Sequence, residues 1–177
     1  MARDFLLHYK NLNKQLFLRM EGEGGTGKSY TIDSWCNLLD LGTYFVAAFT
    51  GKAAHLVQGF TIHQMLNIIP NETKELSNVA LRSLQDRFKN IKFIIIDEYS
   101  MVGCKLFYLI DKRLRQAKNS DLPFGGLTVL LAGDYLQLAP VGDTALWHDD
   151  TLSVHQDVFD GIFLFKQFQK LVILKVI

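Results

Sequence analysis

Gly22-Glu23-Gly24-Gly25-Thr26-Gly27-Lys28-Ser29 decides the fold of this chain. The octet is a complete G-x-x-x-x-G-K-[ST] phosphate loop, which needs a strand before it and a helix after it. Glycines at 22, 24, 25 and 27 free the backbone to turn successive N–H groups inward, and the resulting concavity suits anionic phosphate. Lys28 is positioned to set its ammonium on the β- and γ-phosphates, and Ser29 to offer its hydroxyl to Mg²⁺. The helix starting there aims its positive dipole end at the ligand. Gly22, Gly24, Gly25, Thr26, Gly27, Lys28 and Ser29 are the candidate site for a nucleoside triphosphate, ATP, with Mg²⁺.

The flanks agree with that order. Gln15 to Met20 is a short, mostly apolar run suited to a strand, and Tyr30 to Leu39 carries Ile32, Trp35, Cys36 and Leu39 at helical spacing. Gly22-x-Gly24-x-x-Gly27 also matches a dinucleotide fingerprint, which wants an acid about 20 residues on, after the second strand. The second strand, Tyr44 to Phe49, ends instead in Thr50-Gly51. The triphosphate reading is therefore preferred.

A second motif lies in Phe93-Ile94-Ile95-Ile96-Asp97-Glu98, an apolar run ending in two carboxylates. Strands buried on both faces read as continuous apolar runs, and ligands of doubly wound sheets sit beyond their carboxyl ends. Asp97 is the candidate holder of the Mg²⁺ shell that Ser29 shares, and Glu98 the candidate general base for the attacking water. A third run, Leu127 to Leu138, repeats the pattern and brings Gln137 to the end of another strand as a candidate γ-phosphate sensor. On chemistry alone, a loop glutamine is more often a surface residue than a sensor.

Composition sets bounds on the rest. The 177 residues, 49% of them hydrophobic, fit one folded domain, and a net charge of +1 gives no global electrostatic case for nucleic acid. Cys36 and Cys104 form no metal spacing and are expected to be reduced thiols. The only apolar run near the start is Phe5-Leu6-Leu7, preceded by Asp4 and without a cleavage pattern, so an intracellular location is expected. No stretch approaches the ~20 apolar residues of a membrane helix. A surface excursion is expected around Pro70-Asn71-Glu72-Thr73.

The motifs taken together resemble the first RecA-like domain of the Pif-type (petite integration frequency) DNA helicases of superfamily one, including the Helitron-like branch. The resemblance rests on Thr50-Gly51-Lys52-Ala53-Ala54, Gly59-Phe60-Thr61-Ile62-His63, Asp97 to Val102, Phe124-Gly125-Gly126 and Gly133 to Val141, in that order. It implies ATP hydrolysis at Gly27, Lys28, Ser29, Asp97, Glu98 and Gln137, coupled to five-prime to three-prime stepping along single-stranded DNA. It further implies DNA contacts at Thr50, Gly51, Phe60, Thr61 and His63, where a hydroxyl, exposed N–H groups and a ring suit phosphates and bases. Without the resemblance, Phe60 reads as core and His63 as a buried, hydrogen-bonded histidine. The roles attached to such helicases are DNA repair, recombination, telomere maintenance and transposition, in the nucleus or mitochondrion of a eukaryote.

Two residues depart from the family pattern. Ala139 stands where proline is usual and Tyr99 where an aliphatic residue is usual. The resemblance also places arginine-bearing motifs after Ile177 and an adenine-reading glutamine before Phe5, Gln15 being too close to the loop. Residues 1–177 are thus expected to be a single RecA-like ATPase domain, the first helicase domain, truncated at both termini. Nucleotide binding should then survive better than turnover, and unwinding by the chain alone is not expected. A non-catalytic nucleotide-binding remnant of a helicase or transposon gene is the alternative.

The expected architecture is a three-layer α/β domain around a mostly parallel sheet with strands near 15–20, 44–49, 93–96, 127–132 and 171–177. A helix over Cys104 to Lys118 is expected to bury Leu106, Leu109, Ile110 and Leu114. Its Lys112, Arg113, Arg115 and Lys118 would form a solvated rim. The last strand, as a hydrophobic edge, invites association.

Overall fold

The computed structural model describes residues 15–70, 75–134, 136–148 and 154–175. Phe5 to Leu7, Asn71 to Thr73, Tyr135, Val176 and Ile177 lie outside the described residues. The strands are β1 (Phe17–Glu21), β2 (Tyr44–Ala48), β3 (Phe60–Thr61), β4 (Phe93–Asp97), β5 (Thr128–Gly133) and β6 (Lys170–Ile173). The helices are α1 (Lys28–Cys36), α2 (Gly51–Leu56), α3 (Ile62–Leu66), α4 (Asn78–Phe88), α5 (Cys104–Lys118) and α6 (Gln156–Phe165). Short 3₁₀ turns occupy Tyr99–Met101 and Pro123–Gly126.

Among the described residues, the six strands form one parallel sheet in the order β3-β2-β4-β5-β1-β6. Side chains alternate across it. Ile94, Ile96, Val129 and Leu131 face a core shared with α3 to α6, while Phe93, Ile95, Leu130 and Ala132 face one shared with Ile32 and Trp35 of α1. Two covered faces explain why β4 and β5 are buried at every position and read as unbroken apolar runs. Helices on both faces of a parallel sheet make the three-layer α/β fold expected from the motif order.

The strand ends move by a residue or two from their expected places, and the last strand changes most. It stops at Ile173, opposite Glu21, because β1 itself ends there and gives way to the phosphate loop, the Leu174 amide making a last bond to the Glu21 carbonyl at 2.7 Å. β6 forms one edge of the sheet, with Leu171 and Ile173 exposed.

α5 requires a correction. Its buried stripe is Cys104, Phe107, Ile110, Leu114 and Ala117, with Leu106 and Leu109 only half-buried. Of the four basic residues only Lys112 stays at the surface, paired with the exposed Glu75; the other three are not a solvated rim. Arg113 is buried and bonds Gln116 Oε1 at 2.8 Å, and Arg115 donates to the buried Asp111 at 2.7 Å. Lys118 donates to the carbonyls of Phe88, Lys89 and Ile91, closing the C-terminal end of α4. Asp111 also accepts the Phe124 amide at 2.5 Å, which fixes Phe124 at φ 51° in the 3₁₀ turn ahead of β5. Gln15, set aside above as a base reader, donates to the carbonyls of Pro123 and Leu127 and so joins the start of β1 to that turn.

Candidate functional site

The carboxyl ends of β1, β4 and β5 meet at one end of the sheet, with β5 between the other two. Gly22 follows β1 directly, and its amide donates to the Gly133 carbonyl at the end of β5, so the phosphate loop is tied to the neighbouring strand from its first residue. Gly25 and Gly27 take φ of +79° and +90°, and no atom outside their immediate neighbours lies within 4 Å of where a β-carbon would sit. Open, left-handed glycines leave room for a ligand against the backbone.

α1 begins at Lys28 with Gly27 as its N-cap, no capping side chain and no acid in its first turn. By contrast α2, α3, α4 and α6 each carry a capping side chain, from Thr50, Thr61, Ser77 and His155. The free amides of an uncapped helix start favour an anion. Lys28 folds back over the loop, its Nζ donating to the carbonyls of Gly22 at 2.6 Å and Glu23 at 2.9 Å. Ser29 lies exposed beside it.

Asp97 closes β4 as a buried carboxylate whose Oδ1 accepts the Glu98 amide at 3.0 Å. Burial pushes its pKa up and the neighbouring Glu98 adds to this, while the Glu98 amide and the positive charge of Lys28 pull it down. A buried anion held in check by a cation of the phosphate loop is a site that gains from a further cation, so Ser29 and Asp97 fit Mg²⁺ as donors of hydroxyl and carboxylate oxygen.

Glu98 stands half-buried in the left-handed region, at φ 54° and ψ 42°. For a non-glycine residue this conformation costs on the order of 1–2 kcal/mol, so its neighbours must hold it there. Tyr99, immediately after it, is fully buried, and its hydroxyl donates to Glu21 Oε1 at 2.8 Å. Glu21 also faces Arg19 at 3.5 Å, and the Arg19 guanidinium lies over the Phe165 ring at 4.9 Å. Burial foremost, and then the carboxylate, push the Tyr99 pKa up, so the phenol stays a donor. Sequence reasoning saw Tyr99 only as a departure and missed Glu21. An acid at the end of a buried strand is the signal that would have found it, because such an acid demands a partner.

Gln137 sits in the loop after β5, at the same end, with its side chain exposed. Its amide donates to the carbonyl of Asp134, whose buried carboxylate accepts the Leu136 amide at 3.0 Å. Farther on, Asp143 accepts the amides of Lys105, Leu106 and Thr144, joining this loop to the start of α5. That role had no signal in local spacing.

Thr50, Gly51, Phe60, Thr61 and His63 gather at the β2 and β3 side, away from the phosphate loop in sheet order. Thr50 Oγ1 accepts the Ala53 amide, and Thr61 forms a reciprocal capping box with Gln64. Each cap uses a hydroxyl oxygen and leaves the hydroxyl hydrogen to donate elsewhere. Phe60 is 49% exposed on the edge strand, meeting Phe45 edge-on, so it is not the core residue that its hydrophobicity alone suggested. His63 is half-buried against Phe49, and burial lowers its pKa. Both cysteines are free. Cys104 is buried, donates to the Ala145 carbonyl and has its pKa pushed by burial to about 11.

The family model described as PIF1-like helicase matches residues 7–157. The chain belongs to the PIF1-like helicase family. Among its relatives, the ATP-dependent DNA helicase Pif1 of Psychrobacter sp. is 39% identical over 135 residues, covering 73% of this chain and 20% of the relative. The human ATP-dependent DNA helicase PIF1 is 33% identical over 123 residues, covering 68% of this chain and 19% of the relative. Unliganded Pif1 from Bacteroides sp. superposes with a TM-score of 0.72 at 26% identity, over 99% of this chain and 41% of that one. The Bacteroides Pif1 complex with ADP-AlF3 and single-stranded DNA gives a TM-score of 0.67 at 25% identity, over 100% of this chain and 42% of that one. This PIF1-like chain thus spans about a fifth of these two relatives and about two fifths of the solved helicases.

Proposed function

We propose that this PIF1-like chain is the first motor domain of an ATP-driven DNA helicase, binding ATP with Mg²⁺ and hydrolysing it in step with movement along single-stranded DNA. The observation that carries the reading is the meeting of an uncapped α1, an open glycine loop with Lys28 folded over it, and the buried carboxylate of Asp97 at the carboxyl end of the sheet. The Bacteroides Pif1 structures with ADP-AlF3 and single-stranded DNA support both ligands.

In this reading the loop amides and the α1 terminus take the phosphates, and Lys28 leaves the carbonyls of Gly22 and Glu23 for the β/γ oxygens. Ser29 and Asp97 would hold Mg²⁺, which would supply charge neutralisation for the phosphates. Glu98 takes a proton from the water whose oxygen bonds to the γ-phosphorus as the bridging bond to the β-phosphate oxygen breaks. The products are ADP and inorganic phosphate. Gln137 approaches the γ-phosphate when its loop closes over nucleotide. Phe60 and His63, with the hydroxyls of Thr50 and Thr61 and the backbone at Gly51, form the strand contact.

An arginine from a second domain is worth about 10³–10⁵ in rate in such sites, so the isolated chain should bind ATP well and turn it over slowly. Repair, recombination, telomere maintenance and transposition remain the pathways this motor would serve.

The test is Mg²⁺-dependent nucleotide binding by the chain beside Lys28→Ala, followed by turnover with and without single-stranded DNA. Binding lost in the variant, with DNA-stimulated turnover abolished by Glu98→Gln, is the expected result. No Mg²⁺-dependent binding overturns the reading, and binding without DNA-linked turnover above the Glu98→Gln control favours the nucleotide-binding remnant.

A further inference from the structure

We infer that Tyr99 is a positioning residue for the hydrolytic step, holding Glu98 in its attacking conformation by tying the turn after β4 to the strand that feeds the phosphate loop. The inference rests on the ATPase reading given above. Its basis is the number of site-bearing strands that one side chain joins. Tyr99 follows Glu98 directly, its hydroxyl donates to Glu21 Oε1 at 2.8 Å at the end of β1, and Glu21 is the residue before Gly22. Between these two ends the ring crosses β5, where a β-carbon on Gly133 would come within 2.9 Å of the Tyr99 ring. Gly133 leads into Asp134 and the Gln137 loop. The ring also rests against Phe165 of α6, centroids 5.9 Å apart.

Glu98 itself has backbone reasons to move. It holds a left-handed conformation as a non-glycine residue, and such conformations persist only where flanking structure over-determines them. On its N-terminal side the restraint is the Asp97 carboxylate, which accepts the Glu98 amide. On its C-terminal side the Met101 amide donates to the Glu98 carbonyl and the Val102 amide to that of Tyr99, closing the 3₁₀ turn. The turn as a unit is fixed to the rest of the site by the Tyr99 side chain. An aliphatic residue there would fill the same core but could not reach Glu21 with a hydrogen bond, so the tie belongs to this tyrosine.

The consequence is a separation of functions. Removing the hydroxyl leaves the ring in place over Gly133 and against Phe165, and leaves the glycine loop untouched, so ground-state nucleotide affinity should hold. The orientation of the general base relative to the γ-phosphate should loosen, which matters only where the water attacks.

The experiment compares the wild-type chain, Tyr99→Phe, Glu98→Gln and the double variant, using ADP–Mg²⁺ as ground-state probe and ADP–aluminium fluoride–Mg²⁺ as transition-state mimic. It needs no turnover. The expected result is that Tyr99→Phe keeps ADP affinity within about twofold and loses about tenfold of the preference for the mimic, while adding nothing in the Glu98→Gln background. Glu21→Gln, which keeps an acceptor for the phenol, should retain most of the preference. An unchanged preference in Tyr99→Phe overturns the tie, as does an equal loss in the presence and absence of Glu98. A wild-type chain that binds ADP without preferring the mimic overturns it too, nucleotide binding still standing. A wild-type chain that binds neither probe is the distinct result that removes the ATPase reading itself.

Discussion

Gly103 and Asp143 share one task. Gly103 is the N-cap of α5 and has no side chain, while Asp143 sets its carboxylate over the helix start in its place, accepting the amides of Lys105 and Leu106 at 3.2 Å each. A β-carbon on Gly103 would collide with that carboxylate. The helix following the Tyr99–Met101 turn is therefore capped by the loop that carries Gln137.

Asp143→Ala should destabilise the chain by about 1–2 kcal/mol, the usual cost of losing an N-cap. Urea denaturation measures it. Asp143→Asn, which keeps an acceptor for one helix amide, should recover roughly half, and a loss in Asp143→Ala below a few tenths of a kcal/mol would show that another group caps α5.

Asp97→Asn should stabilise the nucleotide-free chain while removing its response to Mg²⁺. The folded pKa of Asp97 is raised above its ordinary value of 3.8, chiefly by burial. A raised acid favours the folded state while protonated, and that advantage is lost as pH climbs through the folded pKa. The asparagine does not ionise, so its melting temperature should exceed that of the parent at neutral pH, and the gap should close as pH falls below about 4. A gap that widens on acidification contradicts this sign.

Gly161→Ala should be destabilising although alanine favours a helix by ~1 kcal/mol over glycine. A β-carbon there would lie 2.7 Å from the backbone carbon of Cys104, because α6 crosses the start of α5 at closest approach. Overpacking of this kind costs about 1–3 kcal/mol, so a lowered melting temperature is expected and a raised one would mean that the helices separate without penalty.

Phe60→Ala should weaken binding to a fluorescent single-stranded oligodeoxynucleotide by roughly 1–3 kcal/mol, the value of one base stacked on a ring. Folding stability should fall by about 1 kcal/mol at most, since the half-exposed ring has Phe45 as its aromatic contact. Equal affinity in the two chains would remove Phe60 from the strand contact.

Much of this was legible in the sequence where chemistry and local geometry coincide. A phosphate loop needs glycines at fixed spacing, and a strand buried on both faces must be apolar throughout, so β1, β4, β5 and α1 declare themselves. The two-residue β3 and the five-residue α3 have too little periodicity to declare anything, and only the Thr61 and Gln64 capping box marks the latter. The basic residues of α5 misled because a charge run reads as solvated face until its partners are known. Those partners, Glu75 for Arg113 and the carbonyls of Phe88 and Ile91 for Lys118, lie a loop or a helix away. Tyr99 and Glu21 escaped for the same reason, being 78 residues apart and meaningful only together.

The sheet order sets a timetable for a ribosome. β1 emerges before both its neighbours, with Leu16 bonded to Thr128 across 112 residues and β6 later still. Contacts so distant must wait for their loops to close. The phosphate loop, synthesised about a hundred residues ahead of β5, therefore has nowhere to dock until β5 has left the exit tunnel, and nascent chains stalled before that point should hold no ATP.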